Sequence, residues 1–408
     1  MQKKTVQETG SPQVQKNNLK AILEVLAVTT MLGLTSFGGP IAHIGYFHHE
    51  YVRKRRWLDD KSYADFVALC QVLPGPTSSQ VGMGIGAMRG GIPGAVAAWL
   101  GFTLPSMVAL ILFALLLQGF DIANTGVIYG LKIVALAIVA HAVLGMGRQL
   151  TPDRDRATIA LITAAGILLW PTAATQVSLI VLAGIVGIVL YRNKEIPAIS
   201  NINIPIRRWV ALVCLISFFA LLILLPIIRQ ITEYEWLAVF DSFFRAGSLV
   251  FGGGHVVLPL LEREVVPVGW VSKELFLAGY GAAQAVPGPL FTFASYLGAV
   301  MNGWEGAIIA TIAIFLPAAL LVIGILPFWH TLRQYPKVQG ALLGINAAVV
   351  GLLLAALYDP IWVSAINKPA DFVLASTLFV MLEYWKLPPL AIVVTGALGG
   401  SLLFMLWG

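Results

Sequence analysis

Apolar residues fall in long stretches along almost the whole chain, separated by short polar joints and in places interrupted from within by proline and glycine. Runs such as 92–117 and 304–328 are long enough for helices that cross a hydrocarbon layer of roughly 30 Å. From the amino end, Leu19 to Tyr46 reads as a helix, a break at Phe37-Gly38-Gly39-Pro40 and a short segment returning to the same side. A polar, basic connection follows. Ser62 to Leu73 and Thr77 to Met88 then flank Pro74-Gly75-Pro76, each too short to span alone. Prolines fix φ and lack an N–H, so no helix passes through that point. Spans are predicted at Ile92–Leu117, Gly126–Gly147, Ala157–Trp170 and Ala173–Tyr191, then a charged linker from Arg192 to Arg208 and a span from Trp209 to Ile228. Beyond it the plan repeats, with broken hairpins over Glu235–Pro259 and Ser272–Met301, spans near 304–328 and 338–358, and two closing spans near 370–385 and 388–407.

The repetition extends to individual residues. Cys70-Gln71-Val72-Leu73-Pro74-Gly75-Pro76 returns 213 positions later as Ala283-Gln284-Ala285-Val286-Pro287-Gly288-Pro289. Phe37-Gly38-Gly39-Pro40 returns as Phe251-Gly252-Gly253-Gly254, and Gly86-Ala87 and Leu104-Pro105 return as Gly298-Ala299 and Leu316-Pro317. Order and spacing hold over roughly 70 positions, which marks an internal duplication. The predicted organisation is a disordered cytoplasmic tail at 1–18, an amino-terminal transmembrane repeat at 19–191, a linker plus inverting helix at 192–234 and a carboxy-terminal repeat at 235–408. Bare irregular backbone is not tolerated against lipid, so each break must be buried in protein or line a wet cavity.

Composition agrees with a membrane protein. Hydrophobic residues make up 58% of the 408 and charged residues 11%, against about 25% charged in soluble domains. The net charge of +6 comes from short basic clusters beside apolar runs, which fits the positive-inside rule rather than nucleic-acid binding. Cys70 and Cys214 both lie in apolar runs and suggest packing rather than a disulfide, metal or redox pair. The tail carries no small-residue cleavage site after its apolar run and is not a secretory signal.

Charge also sets orientation. The connection from Glu50 to Lys61 has five Lys/Arg against three Asp/Glu, whereas its counterpart from Glu262 to Glu274 has Arg263 and Lys273 against three Glu. Equivalent loops of opposite basic bias predict opposite sides of the membrane. With the amino terminus cytoplasmic, the fold is an all-α polytopic membrane protein built from two inverted-topology repeats with broken, re-entrant hairpins. In transporters of this plan the substrate sits near the midplane at the repeat interface. A helix break frees N–H groups at a half-helix amino terminus, an anion site made without a full buried charge.

Gly38, Gly39, Gln71, Pro74, Gly75, Thr77, Ser78 and Ser79 are the candidates in the first half, with Gly252, Gly253, Gly254, His255, Gln284, Pro287, Gly288 and Thr292 in the second. Individually, such hydroxyls and amides also serve as ordinary caps of broken helices. Arg89 reads either as an anion-attracting residue at a cavity mouth or as a plain interfacial arginine. His255, His43 and Lys132 are candidates for coupling to protons, histidine because it titrates near working pH. Asp241 and Arg245, and Lys61 and Asp65, are spaced to pair on one helix face. His48-His49-Glu50 suggests a solvated loop, and His141 and His330 packing or interfacial residues.

Ser36-Phe37-Gly38-Gly39-Pro40 and Leu73-Pro74-Gly75-Pro76, replayed as Val250-Phe251-Gly252-Gly253-Gly254-His255 and Val286-Pro287-Gly288-Pro289, resemble the chromate ion transporter family in its long, two-domain form. The resemblance covers all but the tail and linker. It implies secondary active export of chromate across the bacterial inner membrane, giving chromate resistance and driven by the membrane potential or a proton gradient. The alternative is import or exchange of sulfate or another tetrahedral dianion. Expected partners are the oxyanion, the bilayer and, as an open alternative, a second copy of the chain, with no nucleic acid and no cofactor. Pro40 becomes Gly254 in the second half, so the two breaks need not be equivalent. An intramembrane enzyme would need a nucleophile with a base or His-Glu-x-x-His, and an ATP-driven pump a Gly-x-x-x-x-Gly-Lys loop; neither motif is present.

Overall fold

The computed structural model describes residues 12–37, 39–119, 126–191, 206–251, 254–328 and 336–407. Gly38, Gly252, Gly253, His330 and most of the linker lie outside the described residues, as do the side chains of Lys61 and Asp65. Every element among the described residues is helical.

In the first half, α1 (Pro12–Thr35), which takes in the last residues of the stretch read as a tail, ends at the first break, and α2 (Gly39–Phe47) leaves from it. A π-helical turn (His48–Lys54) leads to α3 (Asp60–Val72). Asp59 caps α3 by accepting the Ser62 N–H at 2.9 Å, and Pro74 stops it. Next comes α4 (Thr77–Gly119), which is two arms: Gly90 and Gly91 leave helical geometry, Gly91 with φ +64°. The arms fold back so tightly that a Cβ on Gly94 would stand 2.2 Å from the Gly86 carbonyl oxygen.

Ion pairs show where these hairpins return. Arg55 donates to Glu24 of α1 at 2.8 Å, and Arg89, at the turn of α4, reaches the same carboxylate at 3.3 Å while lying over Trp57. The connection, the α4 turn and the early part of α1 therefore meet at one end of the molecule, the first end. Both hairpins enter from that end and return to it, as the sequence pattern predicts. Only the second arm of α4 continues across, running alongside α1 with Gly33 packed on the Gly101 and Phe102 carbonyls. Burial raises the pKa of Glu50 in the connection, but hydrogen bonds from Arg55 and Lys54 outweigh it and hold the carboxyl below its ordinary value. That contribution to stability is present above the ordinary carboxylate pKa and is lost as pH falls through the lowered value.

The second half repeats this plan with α9 (Glu235–Leu249), a 3-10 turn at Gly254–Val256, α10 (Val257–Val265), α11 (Lys273–Ala283), a 3-10 turn at Leu290–Thr292 and α12 (Phe293–Ile325). Ser272 caps α11 where Asp59 caps α3. Asn302 and Gly303, φ +56°, divide α12 as Gly90 and Gly91 divide α4. Asp241 and Arg245 pair as their spacing predicts, and two further residues join them. Arg245 holds Glu264 at 2.8 Å, and Arg229 reaches Asp241 at 3.2 Å while lying over Trp270.

The inversion follows from α8 (Arg208–Ile231) between the halves. Its 24 residues reach about 36 Å. Its amino end packs with the first half's hairpins, Val210 and Cys214 against the cluster holding Tyr51 and Phe66. Its carboxy end carries Arg229 to Asp241 and Trp270. The two connections thus sit at opposite ends of one span-length helix. Trp209, Ile216, Ile223 and Ile231 of α8 are exposed, the state expected of side chains whose solvent is lipid.

The remaining helices exchange partners between halves. First-half α5 (Gly126–Leu150) packs on α14 (Pro369–Glu383) and α15 (Pro389–Trp407), while α13 (Pro336–Ala356) packs on α6 (Arg154–Leu169) and α7 (Ala173–Leu190). The α6–α7 turn meets the second end, where Arg263 donates to the Thr172 carbonyl at 3.0 Å. Its open side closes at the first end, Tyr191 donating to Asp153 at 3.3 Å.

Two outcomes are expected. Cysteines replacing Arg53 and Val268 should label from opposite faces of the membrane with an impermeant maleimide; labelling of both from one face is incompatible with the inversion. Gly94→Leu should abolish accumulation of folded protein, since overpacking at a backbone contact costs about 1–3 kcal/mol or more. Gly45→Ala, where nothing lies within 4 Å of an added Cβ, should leave detergent-extracted yield unchanged.

Candidate functional site

The four breaks meet, and they meet crosswise. The Gly75 N–H of the first Pro-Gly-Pro turn donates to the Val250 carbonyl at the second half's first break, at 2.7 Å. The Gly288 N–H of the second turn donates to the Ser36 carbonyl at the first half's first break, at 2.9 Å. Each turn is also seated on the other half's long helix. A Cβ on Gly75 would stand 2.7 Å from Ala318 Cβ, and one on Gly288 2.8 Å from Ser106 Oγ. Ala318 and Ser106 follow the repeated prolines, Pro317 and Pro105. Both glycines have positive φ, +119° and +103°, so the requirement is twofold: a conformation disfavoured for L-residues and a contact without room for a side chain.

This arrangement aims helix starts at the centre. α4 begins at Thr77 directly after the first turn, and its first i→i−4 bond is from Gln80 N–H to the Pro76 carbonyl, 2.9 Å. The N–H groups of Thr77, Ser78 and Ser79 therefore have no acceptor within their own helix, and the dipole of that arm points its positive end at them. The second turn delivers Leu290–Thr292 and then α12 in the same way.

Polar side chains around the breaks are buried, and several have no partner. Ser36 Oγ, Ser79 Oγ, Thr103 Oγ1, Gln80 Oε1, Gln284 Nε2 and His43 Nδ1 all lack a hydrogen bond. Buried polar groups are paired in most proteins, since each orphan costs about 1–3 kcal/mol. Several orphans at one set of helix breaks mark a place built for something polar. His43 stands edge-on to Phe102, ring centroids 5.5 Å apart. His255, directly after the second break, shares a 2.6 Å hydrogen bond with the Tyr280 hydroxyl of α11.

Other candidates have different surroundings. Thr292 is committed to its own turn, Oγ1 donating to the Pro289 carbonyl at 2.7 Å. Gln71 is exposed, whereas its repeat equivalent Gln284 is half-buried. Arg89 stands one arm's length from the breaks, paired with Glu24 and lying over Trp57. Lys132 is half-buried on α5 and makes no ion pair among the described residues. His48 pairs with Asp60 at 2.7 Å. Thr103, Ser106 and Tyr280 escaped the sequence reading. The repeated Leu-Pro before Ser106 and Ala318 was the available signal.

An interlocked pair of inverted repeats, with half-helix starts facing partnerless polar groups at membrane depth, defines the multi-pass class of membrane transporters. Comparison with known proteins agrees. A chromate transporter family model matches residues 23–188 and again 237–401, and the chain belongs to that family. A chromate transport protein of Pseudomonas aeruginosa is 28% identical over 391 residues, 91% of this chain and 90% of that protein. A probable chromate transport protein of Synechococcus elongatus is 28% identical over 380 residues, covering 90% of this chain and 92% of its own length. An uncharacterized transporter of Bacillus subtilis, YwrA, is 32% identical over 168 residues, 40% of this chain but 94% of its own length. No solved structure matches.

Gly75→Ala and Gly288→Ala should each destabilise the protein by about 1–3 kcal/mol through strain and overpacking. Adding Ala318→Gly to Gly75→Ala should restore the packing part only. Thermal melts in detergent read both effects; an unchanged melting temperature for either single variant contradicts the seating described.

Proposed function

We propose that the chain is a secondary active transporter that exports chromate from the cytoplasm, driven by the membrane potential or a proton gradient. The crosswise seating of the two Pro-Gly-Pro turns carries this reading, because it brings uncommitted N–H groups and orphaned hydroxyls to the repeat interface. A tetrahedral dianion offers acceptors in every direction and matches donors that carry no full charge. Two relatives named for chromate transport support the choice of oxyanion. Sulfate, with the same charge and shape, is the competing substrate for import or exchange.

The residues proposed for the anion site are Gly38, Gly39, Pro74, Gly75, Thr77, Ser78 and Ser79 from the first half, with Gly252, Gly253, Gly254, His255, Gln284, Pro287, Gly288 and Thr292 from the second, Thr292 as the residue that shapes its turn. Gln71, exposed near the end of α3, is included in the proposed set. The amino terminus is cytoplasmic: Arg53, Lys54, Arg55, Arg56, Arg148, Arg154, Arg156, Arg207 and Arg208 gather at the first end, against Arg229, Arg263, Lys273 and Lys368 at the second. The membrane is the bacterial inner membrane.

Everted vesicles from expressing cells should accumulate radiolabelled chromate and lose it on addition of an uncoupler, with unlabelled sulfate competing. Uptake of sulfate without chromate would keep the site and change the substrate. Ser79→Ala and Thr103→Val should each lower chromate uptake about tenfold, the loss of one hydrogen bond to a charged ligand, about 1.5 kcal/mol. Wild-type rates in both would remove these hydroxyls from the site.

A further inference from the structure

The helices exchanged between the halves do not close on one another everywhere. First-half α5 and second-half α14 bring small residues to one hollow, Ala137 and Ala140 from the former, Ala375 and Ser376 from the latter. The cavity there measures about 320 Å³, with Trp362 of a π-helical turn (Leu357–Trp362) lining it as well. A second hollow of about 430 Å³ shares Phe372, Ser376 and Val380 with it and runs on to Trp385. Together they form one groove along α14. Its rim is exposed at Phe372, Val373 and Trp385. From Phe372 to Val380 the helix rises about 12 Å, close to half of a hydrocarbon layer of roughly 30 Å. Walls that lack partner atoms forfeit their dispersion contacts, and at membrane depth the molecule at hand to supply them is an acyl chain.

The first-end mouth of the groove is different in kind. Tyr384 and Trp385 follow α14 there, exposed, as aromatic residues are at the headgroup level. His141 flanks the mouth from α5, its ring centroid 6.5 Å from that of Phe379 and its Nδ1 3.2 Å from Glu383. Arg148 and Lys386, both exposed, share the Glu383 carboxylate at 2.9 and 3.9 Å. Two cations on one carboxylate leave a positive charge where a headgroup lies. Lys386 is also left-handed, with φ +54°, a conformation that glycine adopts freely and lysine does not. Glycine would serve that turn better, so what the position contributes is the ammonium.

We propose that this groove holds one acyl chain of an anionic phospholipid, with the lipid phosphate between Arg148 and Lys386 at the first end. Because α5 and α14 belong to different repeats, the bound lipid bridges the two halves. The site is separate from the helix breaks and does not depend on which anion is carried.

Native mass spectrometry of the delipidated protein in detergent tests this, with phosphatidylglycerol titrated against phosphatidylcholine of the same chains. Glycerol phosphate supplies the head without the chains. One phosphatidylglycerol should bind about fivefold more tightly than phosphatidylcholine, the effect of one basic charge at a membrane surface, and glycerol phosphate should not displace it. Lys386→Gly should remove that preference while leaving the thermal melt of the lipid-free protein unchanged or raised. Ser376→Trp, which fills the groove, should abolish binding of both lipids, and Ala140→Leu should weaken both from the α5 side with a smaller intrusion. Equal binding of the two lipids by the wild type, or an unchanged preference in Lys386→Gly, overturns the phosphate site and the proposal. Wild-type affinity in both groove variants overturns it too. A dimer that Ser376→Trp dissociates would assign the groove to a second copy of the chain and overturn the lipid.

Discussion

Two peptide hydrogen bonds hold this architecture to a single arrangement. Gly75 to Val250 and Gly288 to Ser36 each run from a turn in one repeat to a break in the other. Neither break could satisfy its own backbone inside a membrane, where no water is at hand. Each therefore borrows a donor from the opposite half, and neither half is complete without its twin. The exchange continues outward, with α5 lodged against α14 and α15, and α13 against α6 and α7. A core assembled in this way stabilises the repeat interface at the depth where the chain is most irregular.

Irregular backbone of this kind is also where chemistry becomes available. A continuous helix offers the centre of a membrane only side chains, since its N–H groups are spent along its own axis. Interrupting four helices at one level exposes N–H groups without introducing a formal charge. The hairpins carry their ion pairs elsewhere, in two clusters toward the ends: Glu24, Arg55 and Arg89 at one, Arg229, Asp241, Arg245 and Glu264 at the other. Glu50 and Glu264 occupy matching positions and each accepts an arginine. Tethers of this type hold the hairpins at their solvent ends and leave the central level free of strong pairs.

Much of this plan was legible in the amino-acid sequence because membrane burial writes long signals. A break within an apolar run admits few interpretations, and a break repeated 213 residues later admits fewer. The fold-back at Gly90–Gly91 was visible only as a boundary between segments, since its cause is the contact of Gly86 with Gly94. Crosswise pairing could not be read at all, because no linear pattern distinguishes a turn that serves its own half from one that serves the other. For the same reason Ser106 and Tyr280 were missed: Ser106 matters through Gly288, more than a hundred residues distant, and Tyr280 through His255 on a different element. Arg89 was ambiguous for a related reason, its partner Glu24 being 65 positions away.

The single crossing of α8 has a consequence for descent. Each repeat, with two hairpins that return and four helices that cross, ends on the side where it began, so direct end-to-end joining of two copies would give parallel units unable to interlock. One added helix reverses the second unit. A relative such as YwrA, matched over 94% of its own length by 40% of this chain, has the length of about one such unit. A pair of such chains could complete the same interlock only by entering the membrane in opposite senses. In this chain one covalent span sets the orientation of the second half, and the stoichiometry of the two halves is fixed by synthesis rather than by assembly.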